Sequence, residues 1–205
     1  MNLNIVEFDS IITGSPMDWK YKNQPDGDTC LAMNNGQCSW HRGKALGGST
    51  TINGMLYVRG DRDDYDQWAK AGNPGWSYEE ILPYFKKSMD QQDPILAKNT
   101  NVYSTGGPLV VETPSYRAIV ADALLSAASE AGYPVKDIND GDATGFSHVQ
   151  MTADEGKRMS SAKAFLNPKV TSRSNLDVVL NAQVTKILIK DSRAFGVVFS
   201  RFSKT

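Results

Sequence analysis

The sequence predicts a mixed α/β fold of the α+β kind, and three observations predict it. Between Arg117 and Gly132 the apolar residues Ile119, Val120, Ala123, Leu124, Ala127 and Ala131 keep helical spacing, with Gly132 and Pro134 as the stop. Leu176 to Leu180, Val184 to Lys190 and Phe195 to Phe199 are β-branched, mostly apolar runs broken by Asn181-Ala182 and Asp191-Ser192-Arg193, the pattern of a three-stranded antiparallel meander. Two polar, glycine-rich stretches, Asn99 to Gly107 and Asn139 to Gly145, mark boundaries or long loops.

Taken in chain order, the first informative element is a loop. Trp40 to Tyr57 holds four glycines, the cations Arg42 and Lys44, and the hydroxyls of Ser49, Thr50 and Thr51. Glycine permits positive φ and close backbone approach, and successive peptide N–H groups in such a turn form a concavity for an anion. A helix beginning just after Thr50 would add its own N–H groups to the same place. The same Gly-Gly-Ser-Thr string also occurs in ordinary loops without a ligand. The loop is not a phosphate-binding Walker loop, because Gly36 and Gly43-Lys44 are wrongly separated and Ala45 stands where a hydroxyl should be. No Gly-x-Gly-x-x-Gly dinucleotide fingerprint occurs anywhere in the chain.

Downstream, Asp61-Arg62-Asp63-Asp64 reads as a solvated helix start, since it lacks the alternation and distal glutamate of a calcium loop. Ser77 with Glu80 forms a capping box, and Trp76 with Ile81 has the spacing of a hydrophobic staple, so a helix starts at Tyr78; Pro83 bends it or ends it early. Leu109 to Glu112 is a strand. Trp68, Trp76, Tyr84 and Phe85 are expected in core and lid packing, with a sugar platform as the alternative. Lys44 and Arg59 pair either with phosphate or with Asp61 to Asp64, and for Arg59 a solvated salt bridge is expected.

Composition bounds the partners. With 22 basic and 23 acidic residues the formal net charge is -1, so no field steers nucleic acid or an anionic membrane. No apolar run approaches the ~20 residues of a membrane span, and Met1 to Lys20 lacks the basic start and apolar block of a signal peptide. Cys30 and Cys38 flank an Asn34-Asn35-Gly36 turn; an oxidising compartment would pair them, and a reducing one would leave two thiols. No metal site is expected from two cysteines without nearby ligands.

Arg42-Gly43-Lys44-Ala45-Leu46-Gly47-Gly48-Ser49, continued by Val58-Arg59-Gly60-Asp61-Arg62 and Asn73-Pro74-Gly75-Trp76-Ser77-Tyr78, closely resembles the glucose-methanol-choline (GMC) oxidoreductases. Asp18-Trp19-Lys20-Tyr21-Lys22, Gly106-Gly107-Pro108-Leu109, Ser160-Ser161-Ala162-Lys163-Ala164-Phe165-Leu166 and Val184-Thr185-Lys186-Ile187-Leu188 extend the likeness from about Asp18 to Phe199, nearest to the insect glucose dehydrogenase branch. The resemblance implies FAD and hydride transfer from a CH–OH group of an alcohol or sugar to flavin N5. It implies that Arg42, Gly43, Leu46, Gly47, Gly48 and Ser49 run along the pyrophosphate, and that Asn53, Gly54, Met55 and Leu56 lie near the isoalloxazine. Asn53 has the plainer alternative of a capping or loop asparagine. Val184 would meet the adenine, and is equally readable as a core valine. Some relatives carry a histidine at the place of Ile52 that bonds covalently to the flavin; isoleucine implies a dissociable FAD.

The resemblance further implies two interleaved parts, an incomplete FAD-binding domain from residues 1–98 and 159–205 and part of a substrate-binding sheet domain from residues 99–158. Met1 to Met17 offers no glycine fingerprint, and neither His41 nor His148 lies in a segment resembling the family's catalytic histidine region. The expectation is a partial enzyme, inactive by itself. Its alternatives are a non-catalytic binding or decoy module, associating with full-length relatives through exposed sheet edges, or an incomplete gene model. Secreted relatives would favour the disulfide.

Overall fold

The computed structural model describes residues 13–201, so the readings of Met1 to Met17 and Met1 to Lys20 lie, for residues 1–12, outside the described residues. The chain divides into two compact units, one running to Phe165 and the other starting at Leu166.

In the first unit, β1 (Tyr21–Lys22) pairs antiparallel with β2 (Ser39–Trp40), and a bridge between Asp18 and Gly43 extends the ribbon at its base. Cys30 and Cys38 are joined as a disulfide across the far loop, with Cα atoms 5.6 Å apart, which resolves the open choice between thiols and a bridge. Next comes α1 (Arg62–Lys70), whose start is fixed by a capping box: Asp61 accepts from the Asp63 N–H at 2.9 Å, and Asp64 reaches back to the Asp61 N–H. The aspartate-rich turn is therefore the helix start its pattern implied.

Helix α2 (Tyr78–Ser88) begins where Ser77 and Glu80 place it, the Glu80 carboxylate accepting the Ser77 N–H at 3.1 Å and its O–H at 2.6 Å. It runs on through Pro83 instead of ending there. Proline removes one N–H, the one that would bond the Glu79 carbonyl in an exposed first turn, and that loss is not enough to stop the helix here. Strand β3 (Met89–Gln91) follows directly and pairs in parallel with β4 (Leu109–Val111). The segment between these strands is the polar stretch from Asn99 to Gly107, yet it supplies the core: Val102 and Tyr103 are buried with Met89 and Val111, and Tyr57, Leu96 and Leu109 pack against them.

A polar layer lies beside that core. The Gln150 amide donates to the Tyr103 hydroxyl at 2.8 Å and to Asp137 at 3.1 Å, and accepts from Gln91 at 3.0 Å. Every member is satisfied, which is what lets amides sit so deep. Burial above all, and the neighbouring Asp137, raise the Tyr103 phenol well above its ordinary pKa. Helix α3 (Ile119–Glu130) occupies the span its periodicity gave, with Gly132 at φ +84° past its end. The hairpin of β5 (Ala153–Asp154) with β6 (Lys157–Arg158) and the short α4 (Ser161–Phe165) complete the unit.

The expected aromatic packing is partly wrong. Trp68 and Trp76 are half exposed and Tyr84 is 69% exposed; Tyr65, Trp68 and Trp76 lie edge to face in succession on the surface of α1 and the turn before α2. Only Phe85 turns toward a buried group, the Arg59 guanidinium 5.4 Å from its ring.

In the second unit, Asn167 caps the single turn α5 (Pro168–Thr171), and β7 (Ala182–Lys190) pairs antiparallel with β8 (Arg193–Arg201). Asp191 and Ser192 both adopt positive φ, the two-residue turn that matches strand twist. The predicted meander is thus a two-stranded hairpin. Leu176 to Leu180 forms no strand, because its peptide groups find no ladder among the described residues. No helix among the described residues is long and apolar enough to cross a membrane.

The disulfide closes a small loop of residues eight apart, for which loop-closure entropy gives about 2–3 kcal/mol. Replacing Cys30→Ser together with Cys38→Ser should lower the unfolding free energy read from a urea titration by that amount; an unchanged free energy would show that the ribbon holds without it.

Candidate functional site

The loop predicted to cradle an anion is built by the chain crossing itself. A Cβ on Gly43 would stand 2.1 Å from the Gly48 carbonyl oxygen and 2.8 Å from the Ser49 nitrogen, so only glycine allows the two strands of the loop to touch. The Gly43 N–H donates to the Ser49 hydroxyl at 3.2 Å, and the Arg42 guanidinium reaches the same hydroxyl at 3.3 Å. Gly47 has φ +94°, and a Cβ there would come within 2.8 Å of Thr51 Oγ1 and 3.2 Å of the Ala162 Cβ. Gly48 differs from both: its φ is +55°, but a Cβ would meet nothing within 4 Å.

Beyond Gly47 the chain makes one 3-10 turn, Gly48–Thr51, and no helix begins after Thr50, so the condition for added helix N–H groups is not met. Thr51 and Ile52 are buried there and Thr51 bonds back to the Leu46 carbonyl at 3.0 Å, which ties the turn to the loop that precedes it. No extended helix dipole contributes. What the turn does leave is donors: the N–H groups of Leu46, Gly47 and Ser49 bond to no acceptor among the described residues.

Two supports hold the loop from outside. On one side is Asp18, whose side chain is fully buried. It accepts the N–H groups of Lys20 and Arg42, each at 3.0 Å, and of Gly14 at 2.9 Å, and it holds His41 Nδ1 at 2.5 Å. The Lys20 N–H first, then those of Gly14 and Arg42 and the imidazole, hold its carboxyl far below the usual carboxylate range against the opposing effect of burial. On the other side is the Ser160-Ser161 segment. Ser161 donates its N–H to Thr50 Oγ1 at 2.9 Å and its hydroxyl to the Gly47 carbonyl at 3.1 Å, while Thr50 Oγ1 donates to that carbonyl at 2.5 Å.

Further along, Arg158 of β6 is 1% exposed and its Nη1 donates to the Asn53 carbonyl at 2.6 Å, to Asn53 Oδ1 at 2.8 Å and to the Thr50 carbonyl at 3.2 Å. Asn53 and Gly54 are exposed, and Met55 is buried at φ +63°, its carbonyl accepting the Thr152 N–H at 2.8 Å. Leu56 is 61% exposed and bridges to Met151. Arg42, Gly43, Leu46, Gly47, Gly48, Ser49, Asn53, Gly54 and Leu56 thus lie along one partly exposed segment, with the Met55 side chain turned into the core beneath it. Val184 lies in the second unit, on β7 opposite Phe199, and is half exposed.

The solvated salt bridge expected of Arg59 does not form. Arg59 is 4% exposed and does not reach the Asp61 to Asp64 carboxylates; it donates to the Val102 carbonyl at 2.9 Å and to the Tyr57 hydroxyl at 3.1 Å. Its charge sits among the Tyr57, Phe85 and Tyr103 rings, which is why a salt bridge was the wrong expectation. Lys44 lies over the Trp19 ring at 4.5 Å. Sequence reasoning missed Arg158 and the Asp18 carboxylate as supports. Both stand in or beside quoted motifs, but nothing in a spacing says which charged side chain will be buried.

Chemically, the segment offers a guanidinium, several unspent peptide N–H groups and a surface left open at Gly48. That donor set fits a phosphate or pyrophosphate.

Comparison with known proteins agrees with this architecture. A family model described as GMC oxidoreductase matches residues 24–205. The chain is 47% identical over 176 residues to the glucose dehydrogenase [FAD, quinone] of Drosophila pseudoobscura pseudoobscura, covering 86% of this chain and 28% of that protein. It is 36% identical over 184 residues to the mitochondrial choline dehydrogenase of Mus musculus, covering 89% and 29%. Among solved structures, a pyridoxine 4-oxidase from Mesorbium loti superimposes with a TM-score of 0.86 at 24% identity, over 98% of this chain and 38% of that one. An FAD-dependent oxidoreductase from Chaetomium thermophilum gives 0.75 at 30% identity, over 91% and 33%. The chain spans less than a third of the length of these curated relatives.

Two predictions follow the geometry. Gly43→Ala should destabilise the first unit by at least about 2 kcal/mol, because backbone cannot yield as a side chain can, whereas Gly48→Ala should cost only the ~1 kcal/mol of a left-handed alanine; thermal unfolding of both variants separates them. Asp18, its folded pKa depressed, contributes stability that is complete above its unfolded pKa, about 3.9, and is lost as pH falls below it. Asp18→Asn should therefore flatten the acid limb of the stability profile below about pH 4, and an acid limb identical to that of the unaltered chain would refute the assignment.

Proposed function

Since the chain belongs to the GMC oxidoreductase family, we propose that it is the cofactor-holding part of an FAD-dependent oxidoreductase acting on CH–OH groups of alcohols or sugars. One observation carries the reading: beside Arg42, the peptide N–H groups of Leu46, Gly47 and Ser49 are left unspent, and at Gly48 a side chain is absent where space is open. The relatives support the cofactor, because the similar glucose dehydrogenase is named for FAD and quinone.

In this reading Arg42, Gly43, Leu46, Gly47, Gly48 and Ser49 hold the pyrophosphate through the guanidinium and peptide N–H groups. Asn53, Gly54, Met55 and Leu56 face the isoalloxazine, and Val184 meets the adenine. FAD, when bound, supplies the acceptor for the hydride leaving the carbinol carbon. The chain's own part is to fix the diphosphate and orient the ring. Ile52, buried and without a nucleophile, keeps the cofactor dissociable. Residues 1–98 and 159–205 serve the cofactor, and residues 99–158 the substrate side.

Turnover by these 205 residues alone is not expected. Removal of the hydroxyl proton needs a positioned base, and neither histidine of the chain, His41 or His148, lies in a segment resembling the family's catalytic histidine region. A second reading, association with full-length relatives as a non-catalytic module, is favoured by the exposed apolar residues on both faces of β7 and β8.

Flavin absorbance of the purified chain, before and after soaking in FAD and desalting, tests the first reading. Retention near one FAD per chain is expected, with Gly48→Ala binding on the order of tenfold more weakly while still folded. A soluble, folded chain that retains none would exclude cofactor binding by this chain.

A further inference from the structure

The cofactor reading names Asn53 as a contact but does not say which end of its carboxamide is offered. Side-chain oxygen and nitrogen look alike in outline, and the assignment rests on the partners. Here the partners decide it. Asn53 Oδ1 lies 2.8 Å from Arg158 Nη1 and 3.2 Å from the Met55 N–H. Both partners are donors only, so the atom between them must be the acceptor. The Nδ2 amino group makes no hydrogen bond among the described residues, and Asn53 is exposed.

Arg158 is suited to impose this choice. It is buried at 1% exposure in the short hairpin of β5 and β6, and the same Nη1 also takes the Asn53 and Thr50 carbonyls at 2.6 and 3.2 Å. One guanidinium nitrogen thus fixes the backbone that enters the Met55 left-handed turn and the orientation of the side chain two residues before it. Flipping the amide would set its amino hydrogens against the two donors, the Arg158 guanidinium and the Met55 N–H, and forfeit both hydrogen bonds.

We infer that Arg158 is a positioning residue that locks Asn53 with its oxygen inward, so that the site presents an NH2 donor and recognises an acceptor atom, a carbonyl oxygen or unprotonated ring nitrogen, on its ligand. This rests on the cofactor reading only for the identity of the ligand. The lock itself is a property of the chain. It gives the exposed end of Asn53 one chemical sense, and it makes the residue's contribution depend on a side chain more than a hundred positions away.

Nitrogen-15 NMR and FAD titration by fluorescence quenching together test it, on the full 205-residue chain and on Asn53→Asp, Arg158→Lys and Arg158→Met. In the unaltered chain without FAD the Asn53 side-chain NH2 should be rigid on the nanosecond timescale. Arg158→Met should release it, and Arg158→Lys, which keeps a donor, should restore rigidity in part. Asn53→Asp is nearly isosteric and keeps an oxygen for Arg158, but places a second acceptor where the donor stood. It should bind FAD about tenfold or more weakly, with unchanged thermal unfolding. FAD affinity equal to or better than that of the unaltered chain in Asn53→Asp would overturn the donor assignment. A mobile Asn53 amide in the unaltered chain, or one unaffected by Arg158→Met in a chain that still folds, would overturn the lock. Failure of the unaltered chain to take up FAD while its Asn53 amide stays rigid would instead defeat the cofactor reading and leave the lock standing.

Discussion

The contact on which the rest of the site depends is the crossing of backbone over backbone at Gly43 and Gly48. With no side chain on Gly43, the segment leaving β2 touches the turn that begins at Gly47, and Ser49 seals the contact from the other side. The candidate site is arranged about that crossing: the guanidinium of Arg42 lies before it, the unspent N–H groups beside it, and Asn53 to Leu56 one turn beyond. A loop of this kind has little apolar surface to bury. It is fixed by close approach and by hydrogen bonds to its carbonyls and hydroxyls, so its shape depends on partners brought from elsewhere in the chain.

Those partners come from both flanks in sequence and are charged or polar at little penalty. Asp18 satisfies four donors at once, which lets a carboxylate sit fully buried next to the cradle without an arginine partner. Arg158 does the converse with carbonyl oxygens. Between them an anion and a cation are spent on the loop's own backbone and side-chain groups, while the guanidinium of Arg42 stays on its exposed side. The same economy appears around Arg59, whose cation is held by three aromatic rings and a carbonyl in place of a carboxylate.

Much of the framework was legible in the sequence where a local rule has a local cause. The starts of α1 and α2 are written in capping residues that bond within three positions, and α3 in a periodicity that needs no partner to be seen. The Gly43 to Ser49 loop was legible as a glycine cluster, although its reason for glycine, contact between two backbones, is not visible in composition. What was not legible depended on distant partners. Val102 and Tyr103 sit in a polar run and become core because β3 and β4 pair in parallel around them. Leu176 to Leu180 has strand composition but no ladder. Arg59 and Arg158 look like surface cations, and only the rings and carbonyls gathered around them make burial tolerable.

The β7–β8 hairpin carries a consequence for handling the protein. Ile187, Ile189, Phe195, Val197, Val198 and Phe199 are all between 46% and 67% exposed, and in a two-stranded ribbon both edges carry unused peptide groups. Such a surface self-associates through strand addition unless something interrupts it, and here Lys186, Lys190, Arg193 and Arg201 are spaced along the two strands as charges of one sign. Colloidal behaviour should therefore depend on keeping those four cations unscreened: high salt or anionic surfaces would bring the ribbons together long before the glycine-rich loop lost its shape.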